Sequence, residues 1–191
     1  MNKFNIINET TYFVVVLETS DPFFDKRAPN LFKDMPIELA AVKVKDGKIV
    51  DTFFSFIGGE EDDNCGIYLD EYVSERTGIT DVHLLNAPMA QKVFAAFKLF
   101  AGGNKIIVRN VADRRALSSF MAEYCGGVQN EIVSIYEDTL ACGNTALVEK
   151  LKTQSWDDIF EDEGIVHTRK DSLSFCISLA QLLISDLSCG Y

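Results

Sequence analysis

Six consecutive apolar residues, Tyr12 to Leu17, carry three valines and two aromatics without a charge. Such a run predicts a strand buried on both faces, with the rest of the chain wrapped around it. Glu18, Thr19 and Ser20 close it. In an open α/β sheet, function gathers just beyond the carboxyl ends of central strands, which makes Glu18 the first candidate for chemistry. Its plainer reading is the solvated end of a strand.

Alternation continues in Ile37 to Lys45, where Val42 and Val44 interleave with Lys43 and Lys45. Asp46-Gly47 then predicts a tight turn into a returning strand over Lys48 to Ile57, ended by Gly58-Gly59. A short helical piece falls around Tyr72 to Arg76. Pro88 sits where the first turn of a helix tolerates it, and Met89, Val93, Phe94, Phe97, Phe100 and Ala101 share one helical face before Gly102-Gly103. Lys105 to Asn110 predicts a second strand, Ala112 to Cys125 a helix, and Glu131 to Tyr136 a third strand. About Asp171 to Leu187 forms a last helix, whose stripe of Leu173, Cys176, Ile177, Ala180, Leu183, Ile184 and Leu187 packs flat on the sheet. This order implies an α/β fold: a mixed sheet with helices on its faces.

Between these elements the polar positions take over. Residues 1 to 11 read as irregular or as an extension of the first strand. Residues 20 to 36 carry Pro22, Pro29 and Pro36 among charges and read as a loop, and Glu60 to Asp63 as a solvated acidic one.

The 191 residues are 47% hydrophobic, enough for one sizeable core, so a single domain over 1–191 is expected. Eighteen basic against twenty-nine acidic residues leave a net charge of -11. That charge repels nucleic acid and anionic membranes at long range, so any nucleic-acid contact must be local. The five cysteines, at 65, 125, 142, 176 and 189, are scattered without a CxxC pair, which argues against a zinc site or a disulfide framework and for reduced thiols. No stretch approaches the ~20 apolar residues that span a bilayer, so a soluble cytoplasmic protein without a membrane partner is expected.

Several segments together carry a family likeness. Tyr12 to Thr19, Ile37-Glu38-Leu39-Ala40-Ala41-Val42-Lys43-Val44, Asp46-Gly47-Lys48-Ile49-Val50, and Thr77-Gly78-Ile79-Thr80 followed by Ala87-Pro88 resemble the DEDD-type 3′-5′ exonucleases. So do Val108-Arg109-Asn110, Asp138-Thr139-Leu140 and His167, in the same order. Within that family the chain looks most like the proofreading epsilon subunit of DNA polymerase III, over roughly residues 12 to 187. The resemblance implies a ribonuclease H-like fold with a five-stranded mixed sheet. The hairpin of residues 37 to 57 would then run antiparallel to residues 12 to 17, which lie beside residues 105 to 110. It also implies two Mg2+ or Mn2+ ions held by four acids, with a histidine as general base toward a metal-activated water.

Set against that pattern, the chain departs at several positions. Val16 stands at the first acid, two residues before Glu18, and has no lone pair for a metal. Glu18 matches the second acid. The third falls on Arg114 without a gap, or on Asp113 with one deletion, and Arg109 replaces the histidine that precedes Asn110. The fourth acid, five residues after His167, is Ser172, with Asp171 one place early. Thr168-x-x-Asp171 also reads as a capping box, and Asp113 as an acid favoured by a helix start. His167 reads as a surface or packing residue rather than a working base, since a base without metal-bound water has nothing to deprotonate, and His83 has no motif context.

Two functions follow. In the first, the domain is an exonuclease relative with a degenerate metal site, Glu18 its one remaining metal acid, Mg2+ or Mn2+ bound weakly or not at all, and the fold serving as a binding or interaction module. Asp113, His167 and Asp171 are then vestigial or shifted catalytic positions. Thr19, Arg109, Asn110 and Arg114 are binding candidates toward nucleic-acid 3′ ends, a nucleotide or a protein partner. In the second, it is an active divergent exonuclease on DNA or RNA ends, with ions held by Glu18, Asp113, Asp171 and a carboxylate from the 20 to 36 loop. In the first case Glu18 needs a cationic partner, and Arg109 or Arg114 is expected to hydrogen-bond to it.

Overall fold

A computed structural model describes residues 10–20, 35–58, 69–127, 129–137, 145–166 and 171–188. The strands are β1 Thr11–Thr19, β2 Pro36–Lys45, β3 Lys48–Phe56, β4 Lys105–Val108 and β5 Ile132–Ser134. The helices are α1 Glu71–Thr77, α2 Asp81–Leu85, α3 Ala90–Ala101, α4 Val111–Cys125, α5 Thr145–Thr153, α6 Trp156–Asp162 and α7 Ser172–Ser188. They build one five-stranded sheet in the order β3-β2-β1-β4-β5. β1 is central, as its unbroken apolar run predicts, and lies antiparallel to β2 and parallel to β4.

The turn joining β2 to β3 takes positive φ at both Asp46 (49°) and Gly47 (71°), the backbone whose twist matches a two-residue hairpin. The two faces of β1 sort by residue parity. Tyr12, Val14 and Val16 pack with Ala40, Val42 and Val44 of β2 under α7, whose Cys176, Leu179, Ala180, Leu182 and Leu183 are buried. Phe13, Val15 and Leu17 point to the opposite layer, where Val93, Phe94 and Phe97 of α3 meet Leu117, Phe120 and Met121 of α4. A smaller cluster of Ile37, Val73, Ile79 and Leu84 holds α1 and α2 against the end of β2.

Several boundaries differ from the sequence expectation. β5 stops at Ser134, because the Ser134 hydroxyl accepts the Glu137 N–H (3.2 Å) and residues 135–137 turn helical. Pro88 lies before α3 rather than in its first turn, since Met89 is the N-cap, and its carbonyl accepts the Gly58 N–H at 2.9 Å. A Cβ on Gly58 would meet the Ala87 and Leu84 carbonyl oxygens at 2.6 and 2.8 Å, so this position admits only glycine without movement. The expected loops over 20 to 36 and 60 to 63 fall almost wholly outside the described residues. Among the described residues, no helix is long and apolar enough to cross a membrane.

Candidate functional site

Glu18 shares its face of β1 with Val16 and lies directly opposite Glu38 of β2. It is not a solvated strand end. Only 8% of it is exposed, and its two oxygens are taken by two arginines. Arg76 of α1 donates from Nη2 to Oε2 at 2.6 Å, and Arg109 donates from Nη1 to Oε1 at 3.2 Å.

Arg109 reaches Glu18 because β4 runs parallel to β1, with Val108 beside Val15, so the residue after β4 emerges next to the end of β1. Asn110 then caps α4: its side chain accepts the Asp113 N–H at 2.9 Å. This cap sets the phase of the first turn. Asp113 faces inward, where Arg109 grips it with two hydrogen bonds, Nε to Oδ2 at 2.6 Å and Nη2 to Oδ1 at 3.2 Å. The same guanidinium donates to the Leu17 carbonyl (3.3 Å) and lies 5.5 Å from the centre of the Phe175 ring of α7. Although burial alone would lower the Arg109 pKa, the Asp113 and Glu18 carboxylates raise it further above its ordinary value.

Arg114, one residue on, turns away to pair with Glu137 at 2.7 Å and takes no part in the site. Of the two arginines expected to meet Glu18, only Arg109 does so. Asp113, rather than Arg114, occupies the inward position after the strand, and it does more than sit favourably at a helix start.

On the α7 side, Val16 is buried among apolar side chains. Ser172, the first residue of α7, is 7% exposed and donates its N–H to Glu38 Oε1 at 3.0 Å. Asp171 points outward and caps the helix, its Oδ1 accepting the Ser174 N–H at 2.6 Å. It is therefore the N-cap itself, not the third residue of a capping box. His167 and Asp138 lie outside the described residues. Thr19 is buried at the β1 bulge, and His83 caps α2 through Nδ1, which accepts the Thr80 N–H at 3.0 Å.

Two members of the cluster escaped the sequence reading. Glu38 is a carboxylate 2% exposed inside the sheet, its pKa pushed up to about 7 by burial, with the charges of Glu18 and Asp171 adding to the rise and the Ser172 hydrogen bonds opposing it. Its signal was a lone acid interrupting the apolar Ile37 to Val42 run. Arg76 arrives from an element whose docking on the sheet no local pattern announces.

Among the described residues, divalent ions in the array that the family implies would draw on these acid positions. Such ions need several oxygen ligands each, and a shared carboxylate between them. The Val16 side chain offers no oxygen, both Glu18 oxygens and both Asp113 oxygens accept from guanidinium nitrogens, and Asp171 Oδ1 caps the last helix. Among the described residues, no group of three or more His, Cys, Asp or Glu side chains is arranged to hold a metal.

The chain resembles known exonucleases in sequence and in fold. The RNase T family model, described as "Exonuclease", matches residues 27–125. The PolC-type DNA polymerase III of Bacillus cereus is 35% identical over 107 residues, which make up 56% of this chain and 7% of that protein. That of Staphylococcus haemolyticus is 36% identical over 106 residues, 56% of this chain and 6% of that protein. The chain thus spans under a tenth of these relatives. Among solved structures, a 3′-exonuclease that recognises the 3′ end of a histone mRNA stem-loop superposes with a TM-score of 0.70 at 18% identity, over 95% of this chain and 83% of the other. The nuclease domain of 3′hExo, a DEDDh family member bound to rAMP, gives 0.69 at 15% identity, over 96% and 94%. At such identities these neighbours establish the five-stranded exonuclease fold.

Proposed function

Because the chain belongs to the RNase T exonuclease family, we propose that it is a non-cleaving member, a domain that keeps the exonuclease fold and works by binding. The observation that carries this reading is the Arg109 guanidinium set between Glu18 and Asp113, beside a buried Val16. A fixed positive group takes up the carboxylates that would otherwise hold ions, and the residue expected to bridge two ions has no oxygen. Losing a carboxylate shared by both ions removes the array that activates water and stabilises the leaving oxygen, which is worth many orders of magnitude in rate.

The domain spans 1–191 as one unit, and the scattered cysteines support a cytoplasmic setting. Its ligand is a nucleic-acid 3′ end, a nucleotide or a protein surface. The net charge of -11 supports short-range contact over long-range attraction to nucleic acid.

The test is a digestion assay on 3′-labelled single-stranded DNA and RNA with Mg2+ or Mn2+, run beside Glu18→Ala. We expect no release of nucleotides above the Glu18→Ala background. Metal-dependent digestion that Glu18→Ala abolishes would establish a working divergent exonuclease instead.

A further inference from the structure

β3 closes one end of the sheet, with β2 on one side and, among the described residues, no strand on the other. Ile57 donates its N–H to the Ile37 carbonyl at 2.9 Å, and the alternation of an antiparallel ladder carries that pairing back through Ser55, Phe53 and Asp51. The backbone N–H and C=O groups of Thr52, Phe54 and Phe56 therefore point out of the sheet. Before Asp51 the ladder is interrupted, because Val50 is an extra residue between the Lys43–Asp51 and Val44–Ile49 pairs. The regular edge thus runs from Asp51 to Phe56, and the Phe54 near its middle is 39% exposed.

Such an edge is a template for another strand. A second β3 laid antiparallel about Phe54 would set Thr52 opposite Phe56 and Phe54 opposite Phe54, so that each outward N–H met an outward C=O. Two side chains stand in the way. Asp51 Oδ1 accepts the Thr52 N–H at 2.9 Å, and the Ser55 hydroxyl donates to the Phe56 carbonyl at 2.7 Å. The Thr52 N–H and the Phe56 C=O are the donor and acceptor that would join in this register, and each copy has already engaged both.

We infer that Asp51 and Ser55 guard the β3 edge and keep two copies of the chain from pairing strand to strand through Phe54. The net charge of -11 on each copy adds a long-range repulsion to this local block. None of these residues belongs to the Arg109 cluster, so the guard stands whether or not the domain cleaves.

Sedimentation velocity of the full chain from about 10 μM to about 1 mM, the range in which open strand edges associate, tests this. The unmodified protein sediments as a monomer throughout. Asp51→Ala/Ser55→Ala removes both guards while adding little apolar surface, and its mass rises with concentration toward twice that of the monomer. Asp51→Asn/Ser55→Thr keeps an acceptor and a donor in the same places and stays monomeric. Added to the alanine pair, Phe54→Pro deletes an outward N–H without touching the β2 ladder, and it weakens association about tenfold more than Phe54→Ala, which keeps that N–H. Self-association of the unmodified chain, a monomeric alanine pair, equal association of the two double variants, or equal effects of Phe54→Pro and Phe54→Ala would each overturn the guard. Should the alanine pair precipitate, precipitation that Phe54→Pro prevents supports the guard, and precipitation that persists overturns it.

Discussion

Glu18 and Glu38 face each other across the β1–β2 pair, yet the two carboxylates are held in opposite ways. Glu18 is clasped by Arg76 and Arg109, while Glu38 accepts the N–H and hydroxyl of Ser172 and is pushed up to about 7. Deep burial favours the protonated form of Glu38, and the like charge of Glu18 opposite adds to it.

This contrast sets a pH dependence. Glu38 binds its proton more tightly folded than unfolded, so its contribution to stability is full below pH ~4.5 and is lost as pH rises to about 7. The difference amounts to roughly 3 kcal/mol. Glu38→Gln keeps an acceptor for the Ser172 N–H without the charge. Urea melts of both proteins from pH 5 to pH 8 should show the wild-type chain losing stability relative to Glu38→Gln over that window. Parallel profiles would mean that Glu38 does not titrate there.

The two arginines on Glu18 differ in cost. Arg76 is 45% exposed, so Arg76→Ala should lower stability by under about 1 kcal/mol. Arg109 is 16% exposed and pairs with both Glu18 and Asp113, so Arg109→Ala should cost roughly 3–5 kcal/mol. Chemical denaturation compares them directly, and equal costs would contradict the central place given to Arg109.

Val16→Asp puts a carboxyl into the apolar layer formed by β1, β2 and α7, next to Glu18. With Arg109 already paired with Glu18 and Asp113, the change should destabilise by about 3 kcal/mol or more. Mn2+ should not repair it while Arg109 holds Glu18 and Asp113. Thermal melts of Val16→Asp with and without Mn2+ check this, and rescue would show that the guanidinium yields to metal.

The frame of the fold was legible because it rests on strong local patterns. The unbroken Tyr12 to Leu17 run fixed the central strand, Asp46-Gly47 fixed the hairpin, and strand parity put Glu18 on the face of Val16. α2, α5 and α6 were not read: they are short, and α6 starts on a Ser155/Asp158 capping box rather than on a long apolar period. In the site, Arg109 and Glu18 met as expected, since parallel strands bring their carboxyl ends together. The choice between Asp113 and Arg114 hung on one residue of helix phase, which the Asn110 cap sets. Arg76 and Glu38 depend on tertiary docking and on burial, neither of which leaves a periodic trace.

The most direct measurement of the central claim is calorimetric titration of the unmodified chain with Mn2+, beside Glu18→Ala and with single-stranded DNA digestion followed in the same samples. With Arg109 occupying the carboxylates, the unmodified chain should give no Glu18-dependent heat and no nucleotide release. Saturable binding of divalent ions that Glu18→Ala removes, accompanied by digestion, would contradict it.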